Sequence, residues 1–157
     1  MLKEGSKAPA FKVEGIDEKG NEFNLASKDL ANTEFIIYFY PRDNTPGCTT
    51  EACDFTDNLN RLKSSGHRVF GVSPDSIASH KKFREKQNLK IALLSDPDKK
   101  IAEKYGAFGE KVMYGKKTKG IIRSTFIVGT DGKVKKLWTK VKAKGHVQAV
   151  LDAIKEL

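Results

Sequence analysis

Two side chains in this sequence are sulfur nucleophiles, Cys48 and Cys53, and they stand five residues apart inside PRDNTPGCTTEACDF, residues 41–55. Cys48 directly follows Thr45-Pro46-Gly47. Threonine then proline suits a helix start: Thr45 as N-cap, Pro46 at the first helical position, where its missing N–H costs nothing, and Cys48 third. Unpaired backbone N–H groups and the positive end of the helix dipole gather there. An anionic thiolate in that place is favoured over a neutral thiol, which gives Cys48 a physical reason to be reactive. The competing role for a free cysteine is that of a small, inert core residue.

Helix geometry constrains the pair. Residues i and i+5 of a helix lie about 9 Å apart between Cα atoms, on different faces, whereas a disulfide needs Cα atoms within about 7 Å. The two cysteines therefore cannot bridge while the helix is intact; if they bridge, its first turns must unwind. A helical reduced form and a locally unwound oxidised form follow. The spacing also sets the pair apart from C-x-x-C redox motifs. A metal site is the other chemistry open to paired cysteines, but zinc takes four ligands, and His67, His80 and His146 are scattered without ligand spacing. No metal or other cofactor is expected, and each histidine is read as a surface or packed residue.

The elements that must position Cys48 are legible around it. EFIIYFY (34–40) is a nearly continuous apolar run, suited to a strand buried on both faces and ended by Pro41. Ala52, Phe55, Leu59 and Leu62 recur at helical spacing, with Gly66 a plausible stop. RVFGVS (68–73) is the next strand, so strand, helix and strand form a βαβ unit with parallel strands. A second helix is predicted over Ser76–Asn88, then a short strand in IALLSD and a short helix in DKKIAEKY. Residues 11–25 read as a hairpin turning near Glu18-Lys19-Gly20. Residues 121–141 read as two strands joined at Thr130-Asp131-Gly132, an Asp-Gly hairpin signal. HVQAVLDAIKEL, starting at Gly145, closes the chain with Val147, Val150, Leu151 and Ile154 on one face. Residues 106–120, GAFGEKVMYGKKTKG, show no period and read as a surface loop. This order predicts an α/β, thioredoxin-like fold, βαβαββα. Its central mixed sheet is flanked by helices, with an added N-terminal hairpin and an insertion near 91–120, in a single domain over 1–157.

Composition bounds the partners. The chain has 157 residues, 38% hydrophobic and 31% charged, an ordinary soluble globular balance. No apolar run approaches the roughly 18 residues of a membrane span, and MLKEGSKAPAFKV lacks the apolar centre of a signal peptide, so the expected address is the cytoplasm, away from membranes. The net charge is +9. Lysines are dispersed among acids through much of the chain, with no nucleic-acid motif, which argues for a solvated surface and against nucleic acid. Residues 111–144 are the exception: many lysines against the single acid Asp131, a stretch able to attract an acidic protein.

Pro41-x-x-x-Thr45-x-x-Cys48 is similar to the active-site signature of peroxiredoxins. The longer string YFYPRDNTPGCTTEACDF resembles the peroxiredoxin Q group, also called bacterioferritin comigratory proteins. So do GVSPDS, FREKQNL, LLSDPD, MYGKK, RSTFIVGTDGKV and KGHVQAVL, and the resemblance runs over nearly the whole chain. It implies a thiol peroxidase acting on hydrogen peroxide and organic hydroperoxides. Cys48 would be the peroxidatic nucleophile, oxidised to a sulfenic acid, and Cys53 the resolving thiol that forms an intramolecular disulfide. Thioredoxin or a similar dithiol would return the pair to thiols. The resemblance also implies that Thr45 donates to the thiolate or accepts from the peroxide, if it does not only cap the helix. Pro41 would shield the pocket, if it does not merely end the strand. Arg123 would favour the thiolate and orient the peroxide oxygens, if it is not a surface partner of some carboxylate. Glu51 falls on nearly the same helix face as Cys48, to tune the arginine or to be solvated. Phe39, Tyr40, Phe55 and Trp138 are read mainly as core, with a hydroperoxide-lining role the alternative. An intrachain resolving thiol needs no second subunit, so a monomer is expected.

Overall fold

The apolar run after Thr33 lies in the middle of the sheet, flanked on both sides. The computed structural model describes residues 2–157, with the side chain of Met113 excepted. Nine strands appear among these residues: β1 (Lys12–Ile16), β2 (Glu22–Ala26), β3 (Glu34–Phe39), β4 (His67–Ser73), β5 (Ala92–Ser95), β6 (Phe108–Met113), β7 (Lys116–Ile121), β8 (Ser124–Val128) and β9 (Val134–Trp138). Seven of them form one sheet in the order β2-β1-β5-β4-β3-β8-β9, and β6 and β7 pair only with each other. β3, β4 and β5 run parallel, while the pairings of β1 with β2 and β5, of β8 with β3, and of β9 with β8 are antiparallel. The sheet is therefore mixed. The N-terminal hairpin joins it by pairing β1 with β5, a strand of the 91–120 insertion.

The period-2 geometry of a strand splits β3 between two cores. Phe35, Ile37 and Phe39 point to one face, with Phe70, Val72, Leu94, Tyr105 and Phe126. Ile36, Tyr38 and the following Tyr40 point to the other, with Phe55, Leu62, Phe83 and Val150. The second face is covered by α1 (Pro46–Asp57), α2 (Leu59–Ser64), α3 (Ile77–Gln87) and α5 (His146–Glu156). The short α4 (Lys100–Lys104) supplies Ile101 and Ala102 to the first. Full burial of a side chain such as Phe55 contributes about 1.5–3 kcal/mol. Phe55, stacked on Tyr38 at 4.7 Å between ring centroids, thus fastens α1 to the strand before the cysteine loop.

Two elements differ from the sequence reading. The helix carrying Ala52, Phe55, Leu59 and Leu62 is interrupted at Asn58, which has φ −105° and ψ 10°. Its side-chain amide donates to the Asp54 carbonyl at 2.8 Å, competing with the helical ladder as asparagine does. All four apolar residues are nonetheless buried. Residues 106–120, read as a surface loop, contain the β6–β7 hairpin. It turns at Tyr114-Gly115, both with positive φ (52° and 76°), the conformation of a tight two-residue hairpin turn. Its second strand, KKTKGI, is exposed on both faces over Lys116–Lys119 and buries only its last residue, Ile121, so no alternation marks it as a strand.

Candidate active site

β3 ends at Phe39, and five residues later the chain turns into α1. Asn44 makes the turn with φ 62°. Thr45 is the N-cap in extended conformation and Pro46 opens the helix. The Thr45 hydroxyl does not bond a helix N–H; it donates to the Arg42 carbonyl at 3.0 Å. The N–H groups of the first turn are thus not taken by that side chain. Cys48, third in the helix, is 1% exposed and a free thiol.

The sheet brings an arginine to it. β3 pairs antiparallel with β8, with Phe39 opposite Ser124. The residue before Ser124 is therefore carried to the end of β3 where the cysteine loop begins, and that residue is Arg123. It lies in the short link between β7 and β8 rather than within a strand, its carbonyl accepting from Val141 N at 3.0 Å. Its Nη2 donates to Cys48 Sγ at 3.3 Å and its Nη1 to Glu51 Oε1 at 2.8 Å. Gly47 leaves room for this reach: a Cβ there would lie 3.2 Å from Arg123 Nη2.

Glu51 is fully buried, and its Oε2 has no hydrogen-bond partner. Burial pushes its carboxyl up to about 7; the Arg123 charge and hydrogen bond pull the other way, and Asp54 adds to the rise. The 2.8 Å bond to a guanidinium favours a carboxylate, whereas a value near 7 divides the group between both forms at neutral pH. The two agree if Oε1 stays the acceptor throughout and the unpartnered Oε2 takes the proton. Arg123 is held above its usual range: burial opposes its charge, but Glu51 and Cys48 together outweigh that. The Tyr38 hydroxyl is a second buried polar group without a partner, pushed well up by burial, with Glu51 and Cys48 adding.

A cavity of about 600 Å³ opens beside this cluster, lined by Pro41, Arg123, Ile121, Ile122, Val141 and the β6–β7 hairpin. A larger one, about 690 Å³, lies between the N-terminal hairpin and the segment after β5 and includes neither cysteine. Neither cysteine lines the smaller one either, but it meets the site through Arg123 and Pro41.

Residues 5–137 match the AhpC/TSA family. The chain belongs to the peroxiredoxins. It is 42% identical to peroxiredoxin Bcp of Bacillus subtilis over 153 residues, covering 98% of this chain and 95% of that one. A cysteine-to-serine variant of Xylella fastidiosa PrxQ superposes with TM-score 0.89 at 31% identity, covering 99% of this chain and 97% of that one. The bacterioferritin comigratory protein of Xanthomonas campestris, whose structure was described for its alkyl peroxide reduction activity, superposes with TM-score 0.82 at 40% identity, covering 92% and 90%. The thioredoxin-like fold and the peroxiredoxin Q relationship expected from the motifs both hold.

In this peroxiredoxin, then, Cys48 and Arg123 are in contact, Pro41 lines the adjoining cavity, and Thr45 caps the helix by position. Cys53 is not brought to Cys48. Both thiols are free and ride on one unbroken helix. Cys53 is half-buried, with Gln87 Oε1 4.0 Å from its sulfur. Burial pushes its thiol up, with Asp57 and Asp54 adding. Phe39, Tyr40 and Phe55 are core, Trp138 stands edge-on to His146 at 5.3 Å between centroids, and none of the four lines the cavity.

Glu51, read on the Cys48 face as tuning the arginine or as solvated, is buried and bonded to Arg123. Asp43 was missed. Its Oδ1 accepts from the Tyr40 hydroxyl (2.6 Å), and its Oδ2 from Ser79 Oγ (2.8 Å) and is 2.7 Å from His80 Nδ1. Its N–H donates to Asp75 Oδ2 at 2.7 Å. His80 Nε2 faces the Leu94 carbonyl at 2.9 Å, a group that only accepts, so that nitrogen carries a proton. The base of the cysteine loop is thereby tied to α3 and β5. The signal available in the sequence was an aspartate inside the motif itself; its partner, 37 residues away, carried none.

Proposed function

We propose that this peroxiredoxin reduces hydrogen peroxide and organic hydroperoxides with Cys48 as the attacking sulfur and Cys53 as the resolving thiol, and that thioredoxin or a similar dithiol protein restores it. One observation carries the proposal: a half-buried guanidinium N–H aimed at the Cys48 sulfur. That donor lies where negative charge sits on a thiolate and where it develops on a departing oxygen. The alkyl peroxide activity described for the Xanthomonas campestris relative supports the substrate class.

In the first step the Cys48 sulfur forms a bond to the terminal oxygen of the hydroperoxide while the O–O bond breaks. The departing oxygen takes a proton and leaves as water or an alcohol, and sulfur is oxidised by two electrons to S–OH. Arg123 donates first to the sulfur and then to the oxygens. Thr45, turning from the Arg42 carbonyl, offers a hydroxyl to either. Pro41, without an N–H, walls the cavity and leaves no backbone donor there. In the second step the first turns of α1 unwind, the Cys53 sulfur attacks the Cys48 sulfur, and hydroxide leaves as water. An external dithiol then reduces the disulfide. No second subunit is needed, and the chain works as a monomer.

The deciding experiment treats the reduced protein with one equivalent of peroxide and analyses it by mass spectrometry. A 48–53 disulfide is expected in the wild type, none in Cys48→Ser, and a trappable sulfenic acid on Cys48 in Cys53→Ser. A sulfenic label on Cys53 in Cys48→Ser, with none on Cys48 in the reverse variant, would overturn the assignment.

A further inference from the structure

Positive charge on this chain is concentrated around one opening. Between Lys111 and Lys144 stand ten lysines and Arg123 against one acid, Asp131. Lys135 pairs with Asp131 at 2.8 Å, and Lys136 approaches Glu4 at 3.7 Å. Among the described residues, Lys116, Lys117, Lys119, Lys140, Lys142 and Lys144 form no ion pair. Of these, Lys117 and Lys140 line the cavity beside Arg123, together with Lys111 and the acid Glu110, and the others lie along the same two segments. The β6–β7 hairpin supplies one wall through Val112 and Lys117, and Lys140-Val141 supply another. The second group abuts the start of α1, since a Cβ on Gly47 would lie 3.9 Å from Ala143 Cβ. At the hairpin tip Tyr114 is 100% exposed and, on the adjoining strand, Val112 is 67% exposed, two of the three large hydrophobic side chains left exposed among the described residues.

We propose that this face, the β6–β7 hairpin with the 140–144 segment, is the docking surface for the acidic dithiol protein that reduces the Cys48–Cys53 disulfide; the proposal rests on the catalytic cycle given above. Two exposed apolar side chains amid unpaired lysines are what an acidic partner with an apolar spot would cover: the charges steer the encounter and the tip supplies the buried anchor. A second copy of this chain is a poor occupant, because its own charge is also +9. Neutral hydroperoxides gain nothing from the lysines, and the tip extends beyond the cavity they would enter. In the docked complex a partner thiolate attacks one sulfur of the disulfide, forming a mixed disulfide. The partner's second thiol then displaces it, so the partner is oxidised by two electrons and Cys48 and Cys53 are both regained as thiols.

The test compares an acidic thioredoxin-type protein with dithiothreitol as reductant, in the wild type, in Lys116→Glu/Lys119→Glu and in Lys142→Glu/Lys144→Glu, over a range of salt. For the protein reductant, kcat/KM is expected to fall about tenfold or more in each double variant. It should fall with added salt in the wild type and depend less on salt in the variants. Turnover with dithiothreitol and the rate of Cys48 oxidation should not change, and Tyr114→Ala should weaken only the protein-driven reaction. Unchanged kcat/KM for the protein reductant in both charge variants would overturn the proposal, as would equal losses with dithiothreitol. If dithiothreitol sustains turnover and the acidic protein does not at any salt, the docking proposal fails while the Cys48–Cys53 chemistry stands. If neither sustains turnover, the cycle itself fails and takes the docking surface with it.

Discussion

One guanidinium serves two acceptors: the Arg123 fork holds Glu51 with one nitrogen and the Cys48 sulfur with the other. Lysine cannot present two N–H groups in that fixed plane. Arg123→Lys should therefore slow the reaction of Cys48 with peroxide by about 10²-fold, the scale of losing one donor to a developing charge; stopped-flow oxidation of the reduced protein measures it. Gly47 makes a sharper test, because two effects oppose. Alanine at this helical position is worth up to about 1 kcal/mol to α1 over glycine. Its Cβ, however, would lie 3.2 Å from Arg123 Nη2 and push the fork off the sulfur. Gly47→Ala should leave urea stability equal or slightly raised while peroxide reactivity falls severalfold. A variant as reactive as the wild type would show that the guanidinium yields without cost.

The helix that carries both cysteines is held by its middle, by the loop before it and, at its first turns, by the contacts of Cys48 and Glu51 with Arg123, which opening must break. Ala52 and Phe55 are buried, and the loop is tied through Asp43 to Ser79, His80 and Tyr40. The turns that must open lie between these anchorages. Amide hydrogen exchange over residues 46–53 should therefore accelerate on oxidation to the disulfide while α3 and β3 stay protected; unchanged protection there would contradict the unwinding step. Breaking the loop tie is a stability effect. Asp43→Asn or His80→Asn leaves a buried polar partner unmatched and should cost about 1–3 kcal/mol. At roughly 2–4 °C per kcal/mol for a chain this size, the melting temperature should drop by roughly 2–12 °C.

Two buried groups give the chain opposing pH responses. Glu51 holds its proton up to about 7 when folded but releases it near 4.5 when unfolded. Its stabilising contribution is present below 4.5 and is lost as pH rises through 7. His146, bonded to Thr125 Oγ1 at 2.7 Å, is pushed down to about 4 by burial and the nearby Arg123 charge, from an ordinary 6.5. Its contribution is present above 6.5 and is lost as pH falls towards 4. Between these limits the two partly cancel. Urea unfolding at pH 5 and pH 8 should show a modest difference in the wild type. Glu51→Gln should be stabilised relative to the wild type more at pH 8 than at pH 5. Similar stability gains at both values would show that Glu51 is not the group responsible.

What could be read from the chain alone was set by neighbours in sequence. The two-faced strand 34–40, the helix start at Thr45-Pro46, the incompatibility of a disulfide with an intact helix, and the family resemblance all arise from residues a few positions apart, where covalent geometry and helix or strand period leave little freedom. What escaped was of two kinds. The β6–β7 hairpin has a strand exposed on both faces over its first four residues, so hydrophobic alternation had nothing to report. The contacts of Arg123 with Cys48, of Asp43 with His80, and of the lysines with the rim of the cavity join positions that only the strand order makes neighbours. Setting β8 beside β3, with Ser124 opposite Phe39, delivers the arginine to the sulfur 75 residues away. Such meetings are products of how sheet and helices pack, and no local period encodes them.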